Sequence, residues 1–92
     1  MEPNVVLRGR LLCADDDEAA IVVRLLPRHI ELTRAEPGCL SFTVQQNAED
    51  PRTWDVDERF VDAAAYQAHQ DRARSSEWGH ATAGIRRDYT LE

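Results

Sequence analysis

Residues 36–70, EPGCLSFTVQQNAEDPRTWDVDERFVDAAAYQAHQ, decide the fold. Cys39 to Gln46 alternates Leu40, Phe42 and Val44 with Ser41, Thr43 and Gln45, the period of a strand with one apolar face. Asn47-Ala48-Glu49-Asp50-Pro51 is a turn, and Trp54 to Phe60 alternates again, so the two runs are predicted to form a hairpin. Asp62 is placed to cap a helix through Gln70, in which Ala65, Tyr66, His69 and, beyond it, Ala73 make an apolar stripe. Within the return strand Glu58 stands among Trp54, Val56 and Phe60. Burying a lone carboxylate costs several kcal/mol unless it is paired or given a role, so Glu58 and His69 are the first candidates for chemistry.

Working outward, Glu36-Pro37-Gly38 ends whatever precedes the hairpin, because a residue before proline avoids the helical region and glycine supplies the turn. Upstream, Ile21, Val22, Leu25, Leu26 and Ile30 recur at helical spacing. Pro27 interrupts them, and a kink or restart is expected there, with a second segment from about Pro27 to Ala35. His29 shares the face of Leu25 and is read either as a packing residue near that break or as a pocket residue. The acidic run Asp15 to Glu18 suits the start of this helix, where carboxylates accept unpaired amides and complement the dipole. Val5 to Cys13 reads as the first strand, with Val5, Leu7, Leu11 and Cys13 on one face and Val6 and Leu12 on the other, the second face interrupted by Arg8 and Arg10. After the hairpin and its helix, Ser75 or Ser76 caps a short helix holding Trp78 and His80, and Ile85 to Leu91 makes the last strand.

The order strand, helix, strand, strand, helix, strand is the split βαβ, or ferredoxin-like, α+β arrangement: a four-stranded antiparallel sheet with the helices on one face. In that topology the third strand lies between the first and second. Cys13 and Cys39 then fall at opposite edges, and a disulfide between them is excluded. Both read as small buried hydrophobes, since two irregularly spaced cysteines make neither a disulfide framework nor a zinc site.

Ninety-two residues fit one domain spanning 1–92, with a core small enough that homodimerisation through the spare sheet face is a natural way to cover more surface. The formal charge of −6, and eleven basic residues that are all Arg and all scattered, argue against nucleic acid or an anionic membrane as partner. The sequence has no 18-residue apolar run, and Met1-Glu2-Pro3-Asn4 lacks the basic and apolar regions of a signal peptide, so a cytoplasmic location is expected.

Glu36-Pro37-Gly38-Cys39-Leu40, Phe42, Asp50-Pro51, Trp54, Glu58, Phe60, Asp62, Ala64-Ala65-Tyr66 and Ala68-His69-Gln70 together resemble the antibiotic biosynthesis monooxygenase domain family, which takes in proteins named as quinol monooxygenases. The resemblance covers nearly the whole chain. It implies a homodimeric α+β barrel of ferredoxin-like protomers, with a pocket between sheet and helices in each. It also implies oxidation of an electron-rich phenol or hydroquinone by O2 without metal, flavin or haem cofactor. A deprotonated aromatic can itself pass an electron to dioxygen, so the enzyme need only deprotonate, orient and exclude water.

On that reading His69 is the proton-transfer group and Glu58 its orienter, while Tyr66, Trp54, Phe60, Trp78 and His29 are pocket walls that contact substrate. Arg59 and Arg72 are expected to be solvated charges or interface ion-pair partners. Haem-degrading relatives carry Asn in the first strand and Trp in the second helix where this chain has Gly9 and His69, so haem breakdown is not implied. Two other readings stand beside the monooxygenase. One is a cofactor-free isomerase or cyclase using the same base, and the other is a non-catalytic dimeric small-molecule-binding protein. That last reading extends to a simply structural protein, and the lack of a cavity of roughly 300 Å³ or more beside His69, the lower range for small-ligand sites, would favour it over catalysis.

Overall fold

The computed structural model describes residues 3–92; Met1 and Glu2, half of the terminal segment considered above, lie outside the described residues. Strand β1 (Val5–Leu12) leads into helix α1 (Asp16–Arg34), followed by the hairpin β2 (Cys39–Gln46) and β3 (Thr53–Phe60). Helices α2 (Ala63–Ser75) and α3 (Glu77–Ala81) then precede β4 (Arg86–Leu91). The four strands form one antiparallel sheet in the order β2-β3-β1-β4, so β3 separates β1 from β2 as the ferredoxin-like reading requires. Cys13 and Cys39 are both free. Burial pushes both thiols above the ordinary cysteine range, which makes them poor nucleophiles.

One sheet face is buried and built by alternation: Leu7 and Leu11 on β1, and Trp54, Val56, Glu58 and Phe60 on β3. Helix α1 covers it with Val22, Leu25, Leu26, His29 and Thr33. The opposite face carries Arg8, Arg10, Asp55 and Asp57, paired across strands as Arg8–Asp57 and Arg10–Asp55, with half-buried Val6 and Leu12 at its margins.

The start of α1 is closed by a variant of the capping box in which the N3 carboxylate reaches one residue beyond the N-cap Asp15. The Asp15 side chain accepts from the Glu18 amide at 2.9 Å, and the Glu18 carboxylate accepts from the Ala14 amide at 2.7 Å. The acidic run thus serves the helix, and Asp16 adds an ion pair to Arg52.

Two expectations are corrected. Helix α1 runs unbroken through Pro27 to Arg34, with no restart. Both Pro27 and Val23, whose carbonyl loses its helical partner, face solvent, so water can satisfy the orphaned oxygen. Leu40 does not join the apolar face of β2 and is 53% exposed. Cys39 opposes Phe60 while Ser41 opposes Arg59, leaving Leu40 as the extra residue of a bulge. Phe42 recovers the inward orientation, and its carbonyl accepts two hydrogen bonds from Arg34, fixing this edge strand to the end of α1.

Candidate functional site

A cavity of about 250 Å³ lies between the sheet and helices α2 and α3. Its floor is Phe42 and Val44 on β2, Val56 and Glu58 on β3, and Leu11 on β1. His69 and Ala73 on α2, Trp78 on α3 and His29 on α1 wall it from above, and exposed Arg74, Ala83 and Arg87 stand at its rim. The volume is a little under the roughly 300 Å³ where most ligand sites begin, yet larger than the roughly 150 Å³ that suffices for benzene.

The cavity brings Glu58 and His69 together, each almost fully buried at 6% and 4% exposure. They do not form the hydrogen bond expected of a residue and its orienter. His69 Nε2 lies 3.7 Å from Glu58 Oε1, beyond hydrogen-bond range, and Glu58 Oε1 is buried with no partner. Glu36 holds the ring instead: its Oε1 is 2.8 Å from His69 Nδ1, and its Oε2 accepts from Arg72 Nε at 2.8 Å. Arg72 also donates to Thr33 Oγ1 at 2.9 Å, and that hydroxyl donates to the His29 carbonyl at 2.8 Å. Arg72 is therefore not simply a solvated charge but part of the support behind His69.

This support depends on a close approach. A β-carbon at Gly38 would lie 2.3 Å from the Ala65 Cβ, so glycine lets the turn holding Glu36 press against α2. His69 and Arg72, three residues apart on that helix, then share the same carboxylate. Glu36-Pro37-Gly38 reads in sequence only as a helix stop. The signal for its second role is the i, i+3 pair of His and Arg opposite a turn that carries an acid.

Aromatic packing locks the rings. His29 stacks on Trp78 with centroids 4.8 Å apart and planes 9° from parallel, and Phe42 meets His29 edge-on at 5.5 Å. His69 rests on Phe60 at 4.9 Å, and Phe60 meets Tyr66 edge-on at 5.7 Å. Of the five expected pocket walls, His29 and Trp78 line the cavity, whereas Tyr66, Trp54 and Phe60 do not. Phe60 is fully buried as the bed of the His69 ring, with Tyr66 against its edge. Trp54 pairs with Leu11 in the β1–β3 register, four residues along β3 from Glu58, and belongs to the core. Period-two alternation puts Trp54, Val56, Glu58 and Phe60 of β3 on one face, but it does not say which part of that face a helix covers.

Burial sets the ionisation. It lifts the Glu58 carboxyl from the ordinary range to about 7, with Arg87 opposing the rise. It drives His29 down to about 3, helped by repulsion from His69 when that ring is protonated and from Arg72 and Arg87, and lowers His69 against the pull of Glu36. Both cavity histidines are thus neutral at neutral pH, while Glu58 is poised between its two states. Arg87 is held by hydrogen bonds to the Thr82 and Ile85 carbonyls and to Thr82 Oγ1. Tyr89, beside it, is pushed up to about 12 by burial and stays protonated. A neutral imidazole nitrogen and a carboxyl near its midpoint, both facing a largely apolar cavity, can accept and return one proton.

The sequence model of the antibiotic biosynthesis monooxygenase family matches residues 6–81. The chain belongs to that family. Among solved structures, an antibiotic biosynthesis monooxygenase family protein shares its fold: one from Nitrosomonas europaea, provisionally assigned as such a monooxygenase, superposes with a TM-score of 0.83 at 20% identity, covering 100% of this chain and 90% of its own. Rv0793 from Mycobacterium tuberculosis gives 0.76 at 23% identity, covering 98% and 93%. SnoaB, a cofactor-independent oxygenase from Streptomyces nogalater solved as the N63A mutant, gives 0.72 at 11% identity, covering 97% and 90%. No curated protein matches the chain. Among the described residues, no helix is long and apolar enough to cross a membrane. Gly9 of this family member cannot take the Asn of haem-degrading relatives without a shift of β4, because a β-carbon there would lie 2.1 Å from the Asp88 carbonyl oxygen.

Proposed function

We propose that this protein is a cofactor-independent monooxygenase that oxidises a small quinol-like or other phenolic ring with O2. The observation that carries the reading is the unpartnered Glu58 Oε1 standing 3.7 Å from His69 Nε2 on the cavity wall. One substrate hydroxyl can sit about 2.8 Å from both atoms at once. Its proton passes to His69 Nε2, leaving a phenolate beside the two buried groups. The phenolate gives one electron to O2, the resulting superoxide and ring radical combine at a ring carbon, and the peroxide anion so formed takes back the proton held by His69. Loss of water from that hydroperoxide leaves one oxygen atom on the ring, so hydroquinone and O2 become hydroxyquinone and water with no outside reductant. Membership of the family supports this chemistry, and the cavity size supports one or two rings rather than an extended polycycle.

The same reading makes the protein a cytoplasmic homodimer, with the half-buried Val6 and Leu12 among the residues covered on the outer sheet face. Light scattering at micromolar concentration tests the dimer.

The functional test is oxygen uptake with a panel of small hydroquinones and phenols. His69→Ala is expected to lower the rate on a responsive substrate by about 10²–10⁴-fold, the usual worth of a positioned proton-transfer group. Uptake as fast as the parent's overturns the reading. Turnover without O2 consumption assigns the isomerase or cyclase alternative, and saturable binding without turnover assigns a binding protein.

A further inference from the structure

We propose that the Glu36–Arg72 pair, neither member of which lines the cavity, determines which nitrogen of His69 is the proton acceptor: residue 36 meets Nδ1 directly, and Arg72 fixes which end of that side chain it presents. This rests on the reading of His69 as the base, and it concerns how that base is prepared. Glu36 bridges two side chains with different demands: Oε2 receives Arg72 Nε, which can only donate, and Oε1 faces His69 Nδ1. A carboxylate bound to arginine has no proton to give, so the neutral imidazole carries its own proton on Nδ1. Nε2 is left with a free lone pair, on the side of Glu58 and the cavity.

The arrangement is held from behind. Arg72 is pinned to Thr33 Oγ1, and Thr33, which is fully buried, is pinned to the backbone of α1. The titratable and charged groups facing His69 are Glu58 from β3, His29 from α1, Glu36 from the turn after α1 and Arg72 from α2, while β2 presents the Phe42 ring. Of these, only Glu36 is within hydrogen-bond distance of the ring, so the tautomer is decided there.

The consequence is specific to the amide. In Glu36→Gln the side chain has one accepting and one donating end, and Arg72 demands the acceptor. The NH2 end then meets His69 Nδ1, which must become the acceptor, and the imidazole proton moves to Nε2. The lone pair turns away from the cavity although the ring itself need not move. Arg72→Met alone leaves Glu36 a pure acceptor and keeps the proton on Nδ1. Combined with Glu36→Gln it frees the amide to turn over and present its oxygen to Nδ1.

The test is nitrogen NMR of the imidazoles in 15N-histidine-labelled protein, with the His69 signals identified by their loss in His69→Phe. The parent and Arg72→Met are expected to show a protonated Nδ1 and a bare Nε2, Glu36→Gln the reverse, and the double variant a return to the parent pattern. Oxygen uptake should follow the same order, with Glu36→Gln slowed roughly 10²–10⁴-fold in kcat, the double variant recovering much of that loss, and KM changing little. A purely structural role for Arg72 predicts the opposite for the double variant, a loss equal to the product of the single losses. A parent His69 protonated on Nε2, or Glu36→Gln with an unchanged tautomer, overturns the inference whatever the rates. Correct tautomers combined with unaffected oxygen uptake would uphold the clamp and sink the role of His69 as base.

Discussion

Replacing Glu58 by Gln should make the protein more stable at and above neutral pH while depriving it of its proposed activity. The folded carboxyl has its midpoint raised from 4.5 to about 7, chiefly because burial penalises the charged form. Between those values the unfolded chain has released its proton and the folded chain still holds it, so stability falls as pH rises. The contribution is fully present below about pH 4.5, is lost progressively up to about 7, and changes no further above that. At about 1.36 kcal/mol for each pH unit separating the folded and unfolded midpoints, the loss amounts to about 3 kcal/mol. Glutamine matches the protonated acid in shape and cannot ionise, so the variant avoids this loss. Urea unfolding of both proteins at fixed protomer concentration, from pH 4 to 9, provides the assay. The two should be nearly equal at pH 4 and differ by about 3 kcal/mol at pH 8, a midpoint displacement of roughly 1–3 M for ordinary denaturant slopes. His29 works in the other direction. Its value is depressed from 6.5 to about 3, so the stability it confers is present above pH 6.5 and is lost on acidification towards pH 3. The two slopes offset each other between about pH 4.5 and 6.5 in the parent, and Glu58→Gln should uncover the histidine slope of about 1.4 kcal/mol per pH unit. A pH-independent gap between parent and variant, or a variant that becomes relatively weaker above neutrality, would mean that Glu58 is charged and well solvated or paired, and the argument for its part in proton transfer would fail with it.

Pro27→Ala should stabilise the protein by up to about 3 kcal/mol in thermal or urea unfolding, because it restores an α1 hydrogen bond at an exposed position; no gain would mean the helix has already adjusted around the proline. Gly9→Ala should lose about 2 kcal/mol or more, since its β-carbon would lie 2.1 Å from the Asp88 carbonyl oxygen and 2.8 Å from the Tyr89 Cα, and an unchanged melting temperature would show that β4 gives way freely. Ala83→Trp, at the exposed rim, should leave stability within about 0.5 kcal/mol while raising KM for two-ring hydroquinones more than for one-ring ones; equal effects on both would place the entrance elsewhere.

The sheet, its order and the hairpin were readable because alternation on β2 and β3 and the caps at Asp62 and Ser76 are local signals. Leu40 escaped that logic, since a bulge depends on how two strands meet rather than on either one alone. Pro27 misled for a related reason: whether a lost helical bond breaks a helix depends on which side of it faces water, and that is set by the fold. At the site, Glu58 and His69 stood out as polar residues on apolar faces, and the structure buries both beside one cavity. The link between them was misjudged because nothing local to α2 says which acid its histidine meets, and only the close packing of Gly38 on Ala65 selects Glu36 over Glu58 as the partner of Nδ1. Trp54 and Phe60 share a face with Glu58, and that face is longer than the cavity, so face alone overcounted the lining.

The turn between α1 and β2 departs from the usual freedom of surface loops to vary in length. It bears the carboxylate that grips α2, and its glycine is wedged against a helix, so one added or deleted residue would uncouple Glu36 from His69 even if every strand still paired. The connection on the far side of β2, from Asn47 to Arg52, touches none of the cavity; its tip is held by its own short-range bonds, and only Arg52 at its end is tied to Asp16 and the Cys13 amide. Grafted peptides, tags or circularly permuted termini belong at that second bend, where lengthening the chain leaves the site's alignment alone.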